Sequence, residues 1–167
     1  MKRIRENEIL TVVECSKNDS WRFQCVKCLP QRKELLAFKN SPSNLKKHIE
    51  VGTNLTDLIV TRKCYLDCTS VIFVVDCVNI VQISSSCVQL LSVLSAEPLH
   101  SAAALILFSK SDLPCTMSLV ELKWLFRMDD IIRTAPQSIT TLEISARSGQ
   151  GLQDVLSWLF SNRSHDT

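Results

Sequence analysis

From Ser70 onward the apolar and polar positions fall into two alternating patterns. Val71 to Val75 is an unbroken apolar run rich in β-branched residues, and Leu105 to Phe108 is a second apolar run. Runs this short, with no polar residue interleaved, predict strands buried on both faces. Between them Cys87, Leu90, Leu91 and Leu94 recur at i, i+3, i+4 and i+7, which predicts a helix with one side packed over the sheet. Pro98 closes that helix. Ser118 followed by Glu121 forms a capping box that opens a second helix, with Leu119, Leu122 and Phe126 on its apolar face. A third strand is expected near Ile139 to Ile144. After the Gly149-Gln150-Gly151 turn, Leu152, Val155, Leu156 and Leu159 repeat the helical spacing. The order is βαβαβα.

Short strands alternating with helices need crossover connections and so a mostly parallel sheet, which places this region in the α/β class. Ligands of such sheets bind beyond the C-terminal ends of the strands. Two polar segments stand there: Ser109-Lys110-Ser111-Asp112 directly after Phe108, and Ser145-Ala146-Arg147 directly after Ile144. A carboxylate such as that of Asp112 can accept two hydrogen bonds from N1 and N2 of guanine, which adenine cannot supply. The aliphatic stem of Lys110 can cover one ring face. A residue as small as Ala146 lets its backbone N–H approach the guanine O6 without crowding the ring. Either segment alone is also an ordinary loop after a strand; the pair predicts a guanine-base site.

Ser109-Lys110-Ser111-Asp112-Leu113-Pro114 resembles the Asn-Lys-x-Asp-Leu-Pro segment of the Arf-family small GTPases, and Ser145-Ala146-Arg147 resembles their Ser-Ala-Lys/Arg loop. Val51-Gly52-Thr53-Asn54-Leu55-Thr56-Asp57, Ser86 to Leu91 and Leu94-Ser95-Ala96-Glu97 extend the likeness. It covers Val51 to about Arg62 and Ser70 to about Phe160. The resemblance implies a partial Ras-like sheet with flanking helices, binding of GTP and GDP, slow hydrolysis, and protein partners of Arf-like switches in membrane traffic. It also implies that Ser109, Lys110, Asp112, Ser145, Ala146 and Arg147 face the guanine nucleotide.

Three departures bear on that activity. The only glycines are Gly52, Gly149 and Gly151, and no two are spaced as a Gly-x-x-x-x-Gly-Lys-Ser/Thr phosphate loop requires. Cys64 to Thr69 holds no counterpart of the switch II glycine, and Glu50 stands where the family's magnesium-binding threonine is expected. Ser109 replaces the usual Asn. Two charge-assisted bonds to a base contribute roughly 3–6 kcal/mol before association costs, whereas micromolar binding needs about 8 kcal/mol. The expectation is therefore weak guanine-nucleotide binding at most, no resident magnesium, no catalytic residues and a catalytically silent GTPase relative. Loss of the strand that leads into the phosphate loop would also leave Val71 to Val75 with an open edge, which Glu8 to Glu14 could fill.

Before residue 51 the composition changes. Splitting the chain after Glu50 gives eleven Lys/Arg against six Asp/Glu, then eight against eleven: +5 and −3, within a net charge of +2. Trp21-x-Phe23-x-Cys25-x-x-Cys28 and Ser43-Asn44-Leu45-Lys46-Lys47-His48 resemble a BED-type zinc finger. A closed zinc site needs a fourth ligand shortly after His48, and Val51 to Asn54 supply neither Cys nor His. We expect a truncated finger without zinc, and no nucleic-acid partner from the basic patch of Arg32, Lys33, Lys46 and Lys47. The rival reading is a zinc-dependent nucleic-acid-binding or interaction module on an α/β scaffold. The expected division is a small irregular finger-like segment at 1–50, an incomplete Arf-like domain at 51–162 and a tail at 163–167. The abrupt junction suits a hybrid or alternative transcript. Scattered cysteines in apolar runs suggest a reducing, cytoplasmic setting, and neither a transmembrane segment nor a lipid anchor is expected.

Overall fold

The computed structural model describes residues 8–16, 20–25, 34–38, 69–114 and 117–162, the first three stretches as backbone strands. Strands β1 (Glu8–Ser16), β2 (Ser20–Cys25) and β3 (Glu34–Phe38) are followed by β4 (Ser70–Asp76), β5 (Ala103–Ser109) and β6 (Ile139–Ile144). Helices α1 (Ile83–Leu94), α2 (Leu119–Leu125), α3 (Met128–Thr134) and α4 (Leu152–Ser161) complete the order. All six strands form one sheet in the order β3-β2-β1-β4-β5-β6.

β4, β5 and β6 pair in parallel, in register from Ser70 opposite Ala103 and from Ala104 opposite Ile139. The α/β class and the parallel arrangement thus stand. Period-2 alternation along β4 and β5 divides their side chains between two cores. Val71, Phe73, Val75, Ala104, Ile106 and Phe108 face the cluster containing Leu90, Leu94, Leu122 and Phe126. Ile72, Val74, Leu105 and Leu107 face Leu152, Val155, Leu156 and Leu159 of α4. Two covered faces explain why these strands read as continuous apolar runs.

Helix α2 opens with the expected capping box, and Pro98 sits in a 3-10 turn, Glu97–Leu99, after α1 has ended. The apolar face of α1 differs from expectation. Ile83, Ser86, Leu90, Val93 and Leu94 are buried, Cys87 is partly buried, and Leu91 is exposed. Spacing at i, i+3, i+7, i+10 and i+11 tracks the sheet, and Val93 rather than Leu91 lies along that line. Helix α3 was not anticipated. Arg127 takes a left-handed conformation at φ 51° and separates it from α2, so that Phe126 and Met128 are both buried on either side of the break.

The N-terminal segment, expected to be small and irregular, instead contributes three strands to the sheet. β1 runs antiparallel along β4, from Glu8 opposite Val74 to Val12 opposite Ser70, filling the edge at the place foreseen for Glu8 to Glu14. β1 also pairs with β2, and β2 with β3, both antiparallel. The physical reason is the ladder itself: a buried apolar strand with an open row of N–H and C=O groups pairs with the nearest extended segment. Strands from before and after residue 50 therefore share one sheet.

Candidate functional site

The two polar segments meet at the C-terminal ends of β5 and β6. Ser109 ends β5 and is buried, its hydroxyl donating to the Val75 carbonyl at 2.8 Å. The next residue, Lys110, has φ 65°, a conformation L-residues other than glycine seldom adopt. That turn lifts the chain off the strand, and Leu113 N–H closes it by donating to the Lys110 carbonyl at 3.1 Å. Lys110 Nζ forms an ion pair with Asp76 Oδ2 at the end of β4. The other carboxylate oxygen of Asp76, Oδ1, accepts from the Val78 backbone N–H at 3.1 Å.

Ser111 N–H donates to the Ile144 carbonyl at 3.2 Å, joining the loop after β5 to the last residue of β6. Asp112, one residue further, is exposed, and among the described residues no hydrogen bond or ion pair engages its carboxylate. Ser145 is fully buried and is engaged on three atoms. Its N–H donates to the Gln150 carbonyl at 3.0 Å, its carbonyl accepts from Gly149 N–H at 2.8 Å, and its hydroxyl oxygen accepts from Ser148 N–H at 3.0 Å. These bonds fold 145–150 into a tight turn beside the first loop. Ala146 is buried in that turn and Arg147 is exposed. Gly151 completes it at φ 73°; a Cβ there would lie 2.2 Å from the Glu143 carbonyl oxygen.

Ser109, Lys110 and Asp112 are thus brought beside Ser145, Ala146 and Arg147 by adjacent parallel strands. What sequence reasoning missed is Asp76. Its only signal was an acidic residue ending a buried apolar run. The expected finger and switch positions fall elsewhere: Cys28, His48, Glu50 and Cys64 lie outside the described residues, as does the side chain of Cys25. Among the described residues no cluster of His, Cys, Asp or Glu could hold a metal, and no helix is long and apolar enough to cross a membrane. Burial pushes the Cys87 thiol up, away from nucleophilic thiolate chemistry.

A profile described as "Arf: ADP-ribosylation factor family" matches residues 50–163. The chain belongs to the Arf family. It is similar to human ADP-ribosylation factor-like protein 16, 50% identical over 133 residues that cover 70% of this chain and 68% of the human protein. It is also similar to ADP-ribosylation factor-like protein 1 of Saccharomyces cerevisiae, 29% identical over 126 residues covering 75% of this chain and 66% of the yeast protein. The chain therefore spans about two thirds of the length of each relative. Within the Arf-matched span lie β4, β5, β6, the four helices of the described residues and both polar loops.

Proposed function

We propose that this Arf-family chain keeps the guanine-base half of a nucleotide site and lacks the phosphate and magnesium half, so that it is deficient in binding and hydrolysing GTP. Asp112 accepts from the base N1 and N2, the stem of Lys110 covers one face, and Ala146 N–H meets O6. Ser109, Ser145 and Arg147 shape and flank the two loops. The observation that carries this reading is the Ser111-to-Ile144 bond, which locks the loops side by side while leaving the Asp112 carboxylate exposed to a ligand.

The deficiency rests on the glycine positions, 52, 149 and 151, which supply no phosphate loop. A site limited to base contacts falls short of the roughly 8 kcal/mol that micromolar affinity requires. Without transition-state charge stabilisation at the phosphates, hydrolysis has no source of rate. The remaining surface can still meet protein partners of Arf-like switches in the cytoplasm, with neither magnesium nor zinc in residence. Calorimetry with GTP and GDP at micromolar concentration, with and without magnesium, tests the proposal. No saturable heat is expected, and submicromolar GDP affinity would overturn it.

A further inference from the structure

We infer that Asp76 is a positioning residue for base recognition: through Lys110 it holds the loop after β5 in the conformation that joins it to β6. The inference rests on the base-site reading of Lys110 and Asp112 given above. Three observations converge on Asp76. Its side chain is largely enclosed, 11% exposed, against 30% for Lys110. One carboxylate oxygen accepts from Val78 N–H, which fixes the orientation of the group, and the other receives the Lys110 ammonium. Lys110 itself occupies a left-handed backbone conformation, φ 65°, which persists in a non-glycine residue only where surrounding contacts over-determine it.

The chain of effects is short. Asp76 ends β4 and Ser109 ends β5, directly opposite in the parallel register. The left-handed turn at Lys110 sends Ser111 N–H toward the Ile144 carbonyl and carries Asp112 outward. Releasing the Lys110 ammonium removes the tertiary contact that opposes relaxation of that turn. The Lys110 stem then loses its fixed line across the loop, and Asp112 loses its register against the β6 turn. An ammonium engaged by Asp76 is also withdrawn from any phosphate, so this lysine serves the base rather than the phosphate end of a nucleotide.

Amide hydrogen exchange by NMR tests this on wild type and on Asp76→Ala, Asp76→Asn and Asp76→Glu, with Val155 N–H, on the far face of the sheet, as the reference. Loss of a charge-assisted contact predicts that Ser111 N–H exchanges about tenfold faster in Asp76→Ala and Asp76→Asn. The Val155 rate should hold, and Asp76→Glu should recover most of the protection. Where Asp76→Ala fails to fold, Asp76→Asn, which preserves size and an acceptor for Val78, carries the comparison. Unchanged Ser111 protection in Asp76→Asn overturns the inference. In parallel, ligand-observed NMR at millimolar GDP and ADP should give a GDP preference in wild type that falls in Asp76→Asn. Equal signals from both nucleotides in wild type, with Ser111 still responding to Asp76→Asn, sink the base-site reading and leave only the loop-holding role. A GDP preference that survives Asp76→Asn unchanged sinks the positioning role and leaves the base site standing.

Discussion

The Ser109 hydroxyl donates to the Val75 carbonyl at 2.8 Å, both groups enclosed between β5 and β4. Ser109, the residue that opens the loop after β5, is therefore engaged in tying two parallel strands together. Ser109→Ala removes one donor from a buried carbonyl that also accepts from the Cys77 thiol at 3.9 Å, a change that costs about 0.5–1.5 kcal/mol. Urea unfolding should report that loss, while the preference for GDP over ADP should move less than it does on Asp112→Ala.

Asp112 has the opposite profile. Its exposed carboxylate has no engagement among the described residues, so Asp112→Ala should leave the urea midpoint nearly unchanged. Residual guanine affinity should drop by at least about tenfold, since each lost charge-assisted bond costs about 1.5–3 kcal/mol. Saturation-transfer NMR with millimolar GDP against ADP measures it; an unchanged GDP signal in the variant would remove the base-site assignment.

The two glycines of the last turn should respond unequally to the same substitution. At Gly149, φ 88°, an added Cβ meets nothing within 4 Å, so Gly149→Ala carries backbone strain alone, about 1–2 kcal/mol. At Gly151, φ 73°, the Cβ would strike the Glu143 carbonyl oxygen at 2.2 Å and approach Ile144 Cγ2 at 3.1 Å. Backbone cannot yield as a side-chain tip can, and Gly151→Ala should cost at least about 3 kcal/mol. Thermal melts of the two variants should differ clearly; equal melting temperatures would contradict the turn geometry.

A pH dependence attaches to the start of α2. The Ser118 hydroxyl and then the Ser118 N–H, both donating to Glu121 Oε2 at 2.7 Å, hold the Glu121 carboxyl below its usual range. A depressed folded value stabilises above the ordinary unfolded value of about 4.3, and that stabilisation is lost as pH falls through the folded value. Ser118→Ala removes the larger cause together with the cap, so it should cost about 1 kcal/mol near neutral pH. The gap between wild type and variant should narrow in acid, once pH has fallen below the folded value and Glu121 is protonated in both. Denaturant titrations at neutral and acid pH check the sign; a gap that widens in acid would refute it.

Much of the Arf-matched region was legible because its elements announce themselves locally. Continuous apolar runs marked β4 and β5, and Leu152, Val155, Leu156 and Leu159 marked the buried stripe of α4 that the structure bears out. Leu91 misled because it satisfies helical spacing with Cys87 and Leu94, while the turn of α1 against the sheet selects Val93. The break before α3 carries no glycine or proline, only Arg127 in a left-handed conformation, its exposed side chain paired with Asp130 at 2.6 Å. Trp21-x-Phe23-x-Cys25 also carries the every-second-residue spacing of a strand, and Ser20–Cys25 is β2. Asp76 and Lys110 are 34 residues apart, and nothing local in either segment announces their pairing.

The direction in which β1 travels has a consequence for where a phosphate loop could be added to this sheet. A phosphate loop must emerge from the same rim of the sheet as the loops after β5 and β6, which is where parallel strands finish. β1 begins at that rim, with Glu8 beside Val74, and heads toward the start of β4, so that Ser16 leaves at the far rim. Glycines and a lysine written into the connection after Ser16 would form their cradle on the wrong side of the molecule, separated from the base loops by the full length of β4. A phosphate loop beside the loops after β5 and β6 therefore calls for a strand of reversed orientation beside β4, an exchange of segment rather than a set of point substitutions.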